Sequence, residues 1–125
     1  MKAKVVIIDD QKFMLSDHGR ALSAADYKVA WITRTADLSQ IINGKRHQDT
    51  SLYIIDVMMP PGRMYFSEAT GGGDYTGLFI ARDIRLKFPL VPIILWTGSE
   101  KSEVLKAAKK HQTTISDCRY VSRVV

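Results

Sequence analysis

Three aspartates stand directly after two apolar runs of the sequence. The run VVII at 5–8 ends in Asp9 and Asp10, and the run LYII at 52–55 ends in Asp56. An ionised carboxylate is rarely placed in a protein interior unless a cation or hydrogen-bond donors accompany it. We therefore interpret these acids as members of a polar site at the ends of buried strands, with Asp56 as its reactive group.

The residue types in this set indicate phosphoryl chemistry. Carboxylates gathered at one point repel one another, and their ionised state requires a cation. The available ligands are oxygens, with no His or Cys at metal-ligand spacing, so the sequence predicts Mg²⁺. A carboxylate beside a metal can attack a phosphoryl group and form an acyl phosphate. The hydroxyl of Thr97 can donate to the phosphoryl oxygens, and Arg123 can offset their charge.

The order of the predicted elements explains why these residues should meet. Short runs rich in Val and Ile predict strands at 5–8, 29–32, 52–55, 91–96 and 120–121, and amphipathic pieces predict helices at 11–26, 36–43, 77–88 and 100–111. Continuously apolar strands that alternate with helices indicate an α/β fold, a doubly wound five-stranded parallel sheet of the flavodoxin type. Ligands of such sheets bind beyond the carboxyl ends of the strands.

Finer features of the predicted helices concern their faces and ends. In the helix at 11–26 one face is predicted to carry Met14, Ala21, Leu22 and Ala25. Thr76 and Ser99 are predicted N-caps, and Gly44 is predicted to end the helix at 36–43. We expect His18 and His111 to pack against apolar faces and His47 to be solvated.

Composition limits the class of protein. The chain has 125 residues, which predicts one domain spanning 1–125. No apolar run approaches the roughly 18 residues of a membrane span. The net charge is +5, but the basic residues are dispersed, which argues against a nucleic-acid surface. The single cysteine, Cys118, fits a reducing compartment, and we expect a cytoplasmic protein.

One segment breaks the alternation of strands and helices. The sequence PPGRMYFSEATGGGDYT, here the 60–76 segment, separates the third strand from the third helix. It far exceeds the usual ~2–6 residues of such a connection. We expect residues 61–75 to form a mobile flap over or beside the site, loosened by Gly71, Gly72 and Gly73 and pinned in part to the domain by Tyr65 and Phe66. A phosphate-binding loop is not indicated, because GK[ST] is missing.

Over essentially its whole length the chain resembles the CheY-like receiver domains of two-component response regulators. The motifs that carry the resemblance are VVIIDD at 5–10, IIDVMMP at 54–60, TGLFIARDIR at 76–85, VPIILWTGS at 91–99 and RYVSR at 119–123. The resemblance implies that Asp56 accepts a phosphoryl group from a histidine kinase or a phosphotransfer protein. Such a domain catalyses only its own phosphorylation and dephosphorylation, so it is no metabolic enzyme.

The resemblance also implies the roles of other residues. Mg²⁺ would bind to Asp10, Asp56 and the backbone carbonyl of Met58, with Asp9 helping through water. Thr97 and Tyr120 match the hydroxyl and aromatic pair whose rearrangement signals phosphorylation in the family.

Three departures from the family pattern leave an alternative open. Arg123 stands where the family has lysine, the 60–76 segment is longer than usual, and the sequence stops at Val125 without a fifth helix. A fifth helix would normally pack on the sheet face beside the fifth strand. We expect a second copy or a further domain to cover that face instead. The alternative function is a receiver-like module that binds a protein without using phosphate. A small-molecule phosphatase is a more distant option.

Overall fold

Five strands form one parallel sheet in the computed structural model of the chain, which describes residues 2–11, 16–97, 106 and 118–122. The strands are β1 Lys4–Ile8, β2 Lys28–Ile32, β3 Leu52–Asp56, β4 Ile93–Thr97 and β5 Cys118–Ser122. They lie in the order β2-β1-β3-β4-β5, and every neighbouring pair is parallel. This is the strand order of the flavodoxin-type doubly wound sheet, so the predicted fold class is confirmed.

Helices connect the strands, as the amphipathic patterns predict. The described helices are α1 Ser16–Ala24, α2 Ser39–Ile42, α3 Gly62–Tyr65 and α4 Thr76–Lys87, and 3₁₀ turns precede α2 at Thr35–Leu38 and α4 at Gly71–Gly73. The helix predicted at 100–111 lies outside the described residues except for position 106. No helix in the described ranges combines the length and the apolar character that a membrane crossing requires.

The apolar core occupies both faces of the sheet, because successive side chains of a strand point to opposite sides. On one face, strand residues such as Ile8 and Ile55 pack with Leu38 and Ile41 near α2 and with Ile84 of α4. On the other face, the buried Val5 and Ile7 contact half-buried neighbours, which are Leu22, Val29, Trp31, Leu52, Ile54 and Trp96. Among the described residues the first face therefore holds most of the core.

The face of α1 differs from the prediction. Ala21 and Ala25 are exposed, and Leu22 is half-buried. The close contact with the sheet is made by Gly19, where an added Cβ would lie 2.7 Å from the ring of Trp31. Because residues three apart share a helix face, Gly19 and Leu22 form the contact that the alanines were expected to make.

One predicted helix start differs from the structure, whereas one predicted helix end agrees with it. Thr76 does not cap α4, because Tyr75 occupies the cap position without a side-chain bond. The side chain of Thr76 is instead fully buried, and its Oγ1 has no hydrogen-bond partner in the described part of the chain. Helix α2 ends at Ile42 with Asn43 as its C-cap, so Gly44 lies just beyond the helix.

The 60–76 segment is folded rather than open. Tyr65 is 1% exposed, and its hydroxyl donates to Asp83 of α4. Gly73 is buried, and its carbonyl oxygen accepts a hydrogen bond from the amide of Met59. The prediction that Phe66 packs against the domain is wrong, since this residue is 77% exposed. Tertiary contacts thus give the segment a defined path despite its three glycines.

Candidate functional site

The carboxyl edge of the sheet brings the three predicted acids together. Asp9 follows β1 directly, and Asp56 is the last residue of β3, the neighbour of β1 in the sheet. One carboxylate oxygen from each of Asp9, Asp10 and Asp56 lies within 4.8 Å of the other two. Asp9 and Asp56 are buried, whereas Asp10 is exposed. The cluster is therefore set into the sheet edge and opens to solvent on the side of Asp10.

Local backbone bonds orient the two buried carboxylates. The amide of Gln11 donates to Oδ1 of Asp9 at 2.9 Å, and the amide of Met58 donates to Oδ1 of Asp56 at 3.1 Å. In both cases an aspartate bonds the backbone two residues ahead, a turn that its short side chain favours. These bonds fix the rotation of each carboxylate.

The donor set of this cluster fits a magnesium ion. It consists of carboxylate oxygens from Asp9, Asp10 and Asp56, the ligand type that Mg²⁺ prefers in proteins. Three negative charges at this separation repel one another, and a divalent cation would offset that repulsion. The carbonyl of Met58, the further ligand that the resemblance implies, belongs to the turn whose amide bonds Asp56.

Helix α4 begins against the backbone that carries Asp56. The amide of Gly77 donates to the carbonyl of Val57 at 2.9 Å, and a Cβ added at Gly77 would lie 2.1 Å from the carbonyl oxygen of Asp56. Only a residue without a side chain permits this approach. The sequence alone predicted no role for Gly77. The available signal was a glycine in the first turn of a strongly patterned helix.

The remaining predicted site residues lie on or beyond β4 and β5. Thr97 ends β4 one position after Trp96, the residue that pairs in register with Asp56. On β5, the strand next to β4, Tyr120 pairs in register with Leu95. Leu95 precedes Thr97 by two positions on β4. The backbone therefore carries Thr97 to the edge where the acids lie. The side chains of Thr97 and Tyr120, and the whole of Arg123, fall outside the described residues.

A separate charged cluster lies at the opposite, amino edge of the sheet. The Nζ atom of Lys4, at the start of β1, lies 3.3 Å from Asp49, and this bond lowers the pKa of the Asp49 carboxyl. His47 is half-buried rather than solvated as predicted, and burial together with the charges of Lys4 and Arg46 lowers its pKa. This cluster stands apart from the acids at the carboxyl edge.

Comparison with solved structures identifies the fold. A CheY-like response regulator receiver domain protein from Methanospirillum hungatei JF-1 is 18% identical, with a TM-score of 0.69 over 100% of this chain and 84% of that one. A response regulator receiver domain protein from Clostridium thermocellum is 20% identical, with a TM-score of 0.74 over 98% and 83% of the two chains. Response regulator TrrA from Thermotoga maritima, solved in complex with Mg²⁺-BeF, is 21% identical, with a TM-score of 0.67 over 98% and 87%. No protein-family model and no curated protein matches the chain.

Proposed function

We propose that this chain, which has the fold of response regulator receiver domains, accepts a phosphoryl group on Asp56 and signals its phosphorylation state. The observation that carries the proposal is the position of Asp56 at the carboxyl end of β3, with its oxygen within 4.8 Å of those of Asp9 and Asp10. A nucleophile and a cation site thereby share one edge of the sheet. An aspartate with only a structural role would not need the carboxylates of Asp9 and Asp10 beside it.

The reaction follows from the chemistry of the carboxylate. A carboxylate oxygen of Asp56 attacks the phosphorus of a phosphohistidine on the partner protein, the new P–O bond forms an acyl phosphate, and the electrons of the broken P–N bond return to the imidazole nitrogen. The backbone amide of Met58 orients the attacking group by its bond to Oδ1. Bound Mg²⁺, held by Asp10, Asp56 and the carbonyl of Met58 with Asp9 through water, would neutralise charge on the carboxylates and the phosphoryl oxygens.

Residues of the last two strands would respond to the phosphoryl group. Thr97, at the end of β4, donates its hydroxyl hydrogen to a phosphoryl oxygen, and Arg123 offsets the added charge. Tyr120 rearranges with Thr97 and passes the change to the neighbouring surface. The register of β4 and β5 supports this pairing, since the two residues stand two positions apart on adjacent strands.

The proposed function defines the partners of the chain. A histidine kinase or a phosphotransfer protein supplies the phosphoryl group, and the setting is the cytoplasm. The chain acts as one domain over residues 1–125, and it turns over no metabolite.

Phosphorylation with a small donor tests the proposal. We expect incubation with Mg²⁺ and acetyl phosphate to add the mass of one phosphoryl group, read by intact mass spectrometry. Asp56→Asn should add none. The matched control is Asp26→Asn, which changes an exposed aspartate paired only at the surface with Lys2 and should be modified like the parent. A parent that gains no mass under these conditions contradicts the proposal and favours the phosphate-independent binding module.

A further inference from the structure

The 60–76 segment returns to the residues that follow Asp56. The amide of Met59 donates to the carbonyl of Gly73 at 3.1 Å, and the amide of Gly77 donates to the carbonyl of Val57 at 2.9 Å. The C-terminal part of the segment, and the first turn of α4 that follows it, are thereby joined to the turn at 57–59. This turn includes Met58, whose amide bonds the carboxylate of Asp56.

Gly73 makes its contact with the turn in a backbone conformation that other residues rarely adopt. Its φ is +111°, and a Cβ added there would lie 2.9 Å from the carbonyl oxygen of Met59. The contact is with backbone, which cannot swing away as the end of a flexible side chain can. Any side chain at Gly73 would therefore strain its own backbone and push against the turn at 57–59.

Contacts further along the segment hold it against the rest of the domain. The hydroxyl of Tyr65 and the carboxylate of Glu68 bond to α4, at Asp83 and Arg82 respectively. Gly62, with a φ of +58°, lies so close to Thr35 that an added Cβ would meet the threonine hydroxyl at 2.4 Å. These contacts at Gly62, Tyr65 and Glu68 hold the first half of the segment in place.

We infer that the 60–76 segment is a brace that fixes the turn at 57–59, and that Gly73 is a positioning residue for the magnesium site. The inference rests on the proposed function, because it concerns the Met58 carbonyl as a ligand. Mg²⁺ requires near-ideal octahedral geometry with bonds of about 2.0–2.1 Å. A turn displaced by a fraction of an ångström would present that carbonyl poorly, although Asp9, Asp10 and Asp56 would remain.

Adjacent glycines allow a matched test. Gly72 also has a positive φ, +70°, but an added Cβ would meet nothing within 4 Å. Gly72→Ala therefore introduces the cost of a positive φ without contact to the turn, whereas Gly73→Ala adds the contact and lies at a larger φ. With folding of each variant checked by circular dichroism, Mg²⁺ affinity is measured by titration calorimetry. We expect Gly73→Ala to weaken binding by about tenfold or more, as changes behind metal ligands commonly do, and Gly72→Ala to stay within about twofold of the parent.

The outcomes separate the inference from the proposed function. Equal Mg²⁺ affinities for the two variants would overturn the brace while leaving the phosphoacceptor site intact. A parent that binds no Mg²⁺ would overturn both. If Gly73→Ala does not fold, hydrogen exchange in the parent decides, because the amide of Met59 is the donor to Gly73. Its exchange should be as slow as that of β3 amides, and exchange as fast as that of Gly72 would overturn the inference.

Discussion

The hydroxyl of Tyr65 donates a hydrogen bond of 2.8 Å to Oδ2 of Asp83. Tyr65 is 1% exposed, and the second oxygen of Asp83 accepts a bond of 2.9 Å from Nε of Arg82. Arg82 in turn lies 3.2 Å from Glu68, so two residues of the 60–76 segment bond to one turn of α4. Tyr65 is the buried residue of this network, whereas Asp83, Arg82 and Glu68 are partly exposed.

Removing the Tyr65 hydroxyl should destabilise the domain. We expect Tyr65→Phe to lower the free energy of unfolding by about 1–3 kcal/mol, because it deletes the hydrogen bond from a buried tyrosine to a partly buried carboxylate. The matched control is Tyr27→Phe, at a residue that is 40% exposed, and its effect should stay within about 0.5 kcal/mol. Urea denaturation measures both. Equal losses for the two variants would show that the bond contributes nothing specific.

The same residue should affect stability at alkaline pH. Burial, and then the bond to Asp83, raise the pKa of Tyr65 above its ordinary value of 10.0. Above about pH 10 the unfolded chain releases a proton that the folded chain retains, so stability falls by up to about 1.4 kcal/mol per pH unit. The fall should be shallower in Tyr65→Phe. Burial also raises the pKa of Tyr53, but that residue is common to both proteins and cancels in the comparison.

The glycine at the start of α4 should tolerate no side chain. In Gly77→Ala the new methyl would meet the Asp56 carbonyl at 2.1 Å, so the helix must shift away from β3. We expect a loss of about 3 kcal/mol or more in unfolding free energy. Gly72→Ala, which meets open space, should cost about 1–2 kcal/mol for its positive φ alone. Similar urea midpoints for the two variants would contradict the close packing.

Magnesium should stabilise the folded chain through the acid cluster. A ligand at 100 times its dissociation constant adds about 2.7 kcal/mol to the unfolding free energy. The melting temperature should therefore rise with Mg²⁺ and return after chelation with EDTA. In Asp10→Asn the rise should be largely lost, and because Asp10 is exposed the metal-free protein should melt near the parent. Asp26→Asn should keep the full response, and an unchanged response in Asp10→Asn would remove this residue from the ligand set.

Arginine at position 123 should weaken the signal rather than abolish phosphorylation. Its guanidinium is larger and more fixed in geometry than the ammonium of lysine, so its contact to the phosphoryl group should couple less well to Thr97 and Tyr120. We expect Arg123→Lys to leave Mg²⁺ affinity similar and to enlarge the phosphorylation-induced change in tryptophan fluorescence. Trp96 is the natural reporter because it pairs in register with Asp56. An equal change in tryptophan fluorescence for the parent and Arg123→Lys would show that arginine does not weaken the signal.

The sequence alone determined the sheet and the gathering of the acids. Apolar runs rich in Val and Ile specify buried parallel strands through composition, and the carboxyl ends of such strands meet at one edge whatever the details of the connections. Asp9, Asp10 and Asp56 follow those runs directly, so their meeting required no knowledge of side-chain contacts. Their separation within 4.8 Å is a consequence of strand order.

The path of the 60–76 segment was decided only by the tertiary structure. Its three glycines indicated a mobile flap, because local propensity is all that a short pattern expresses. The segment is held instead by contacts between residues far apart in the sequence, Tyr65 with Asp83 and Gly62 with Thr35. Likewise, Thr76 is a residue type that often caps helices. The start of α4 is set instead by burial of the Thr76 side chain and by the approach of Gly77 to Asp56. Such contacts form only once the sheet and helices are packed, and their energies then outweigh the local preferences of the chain.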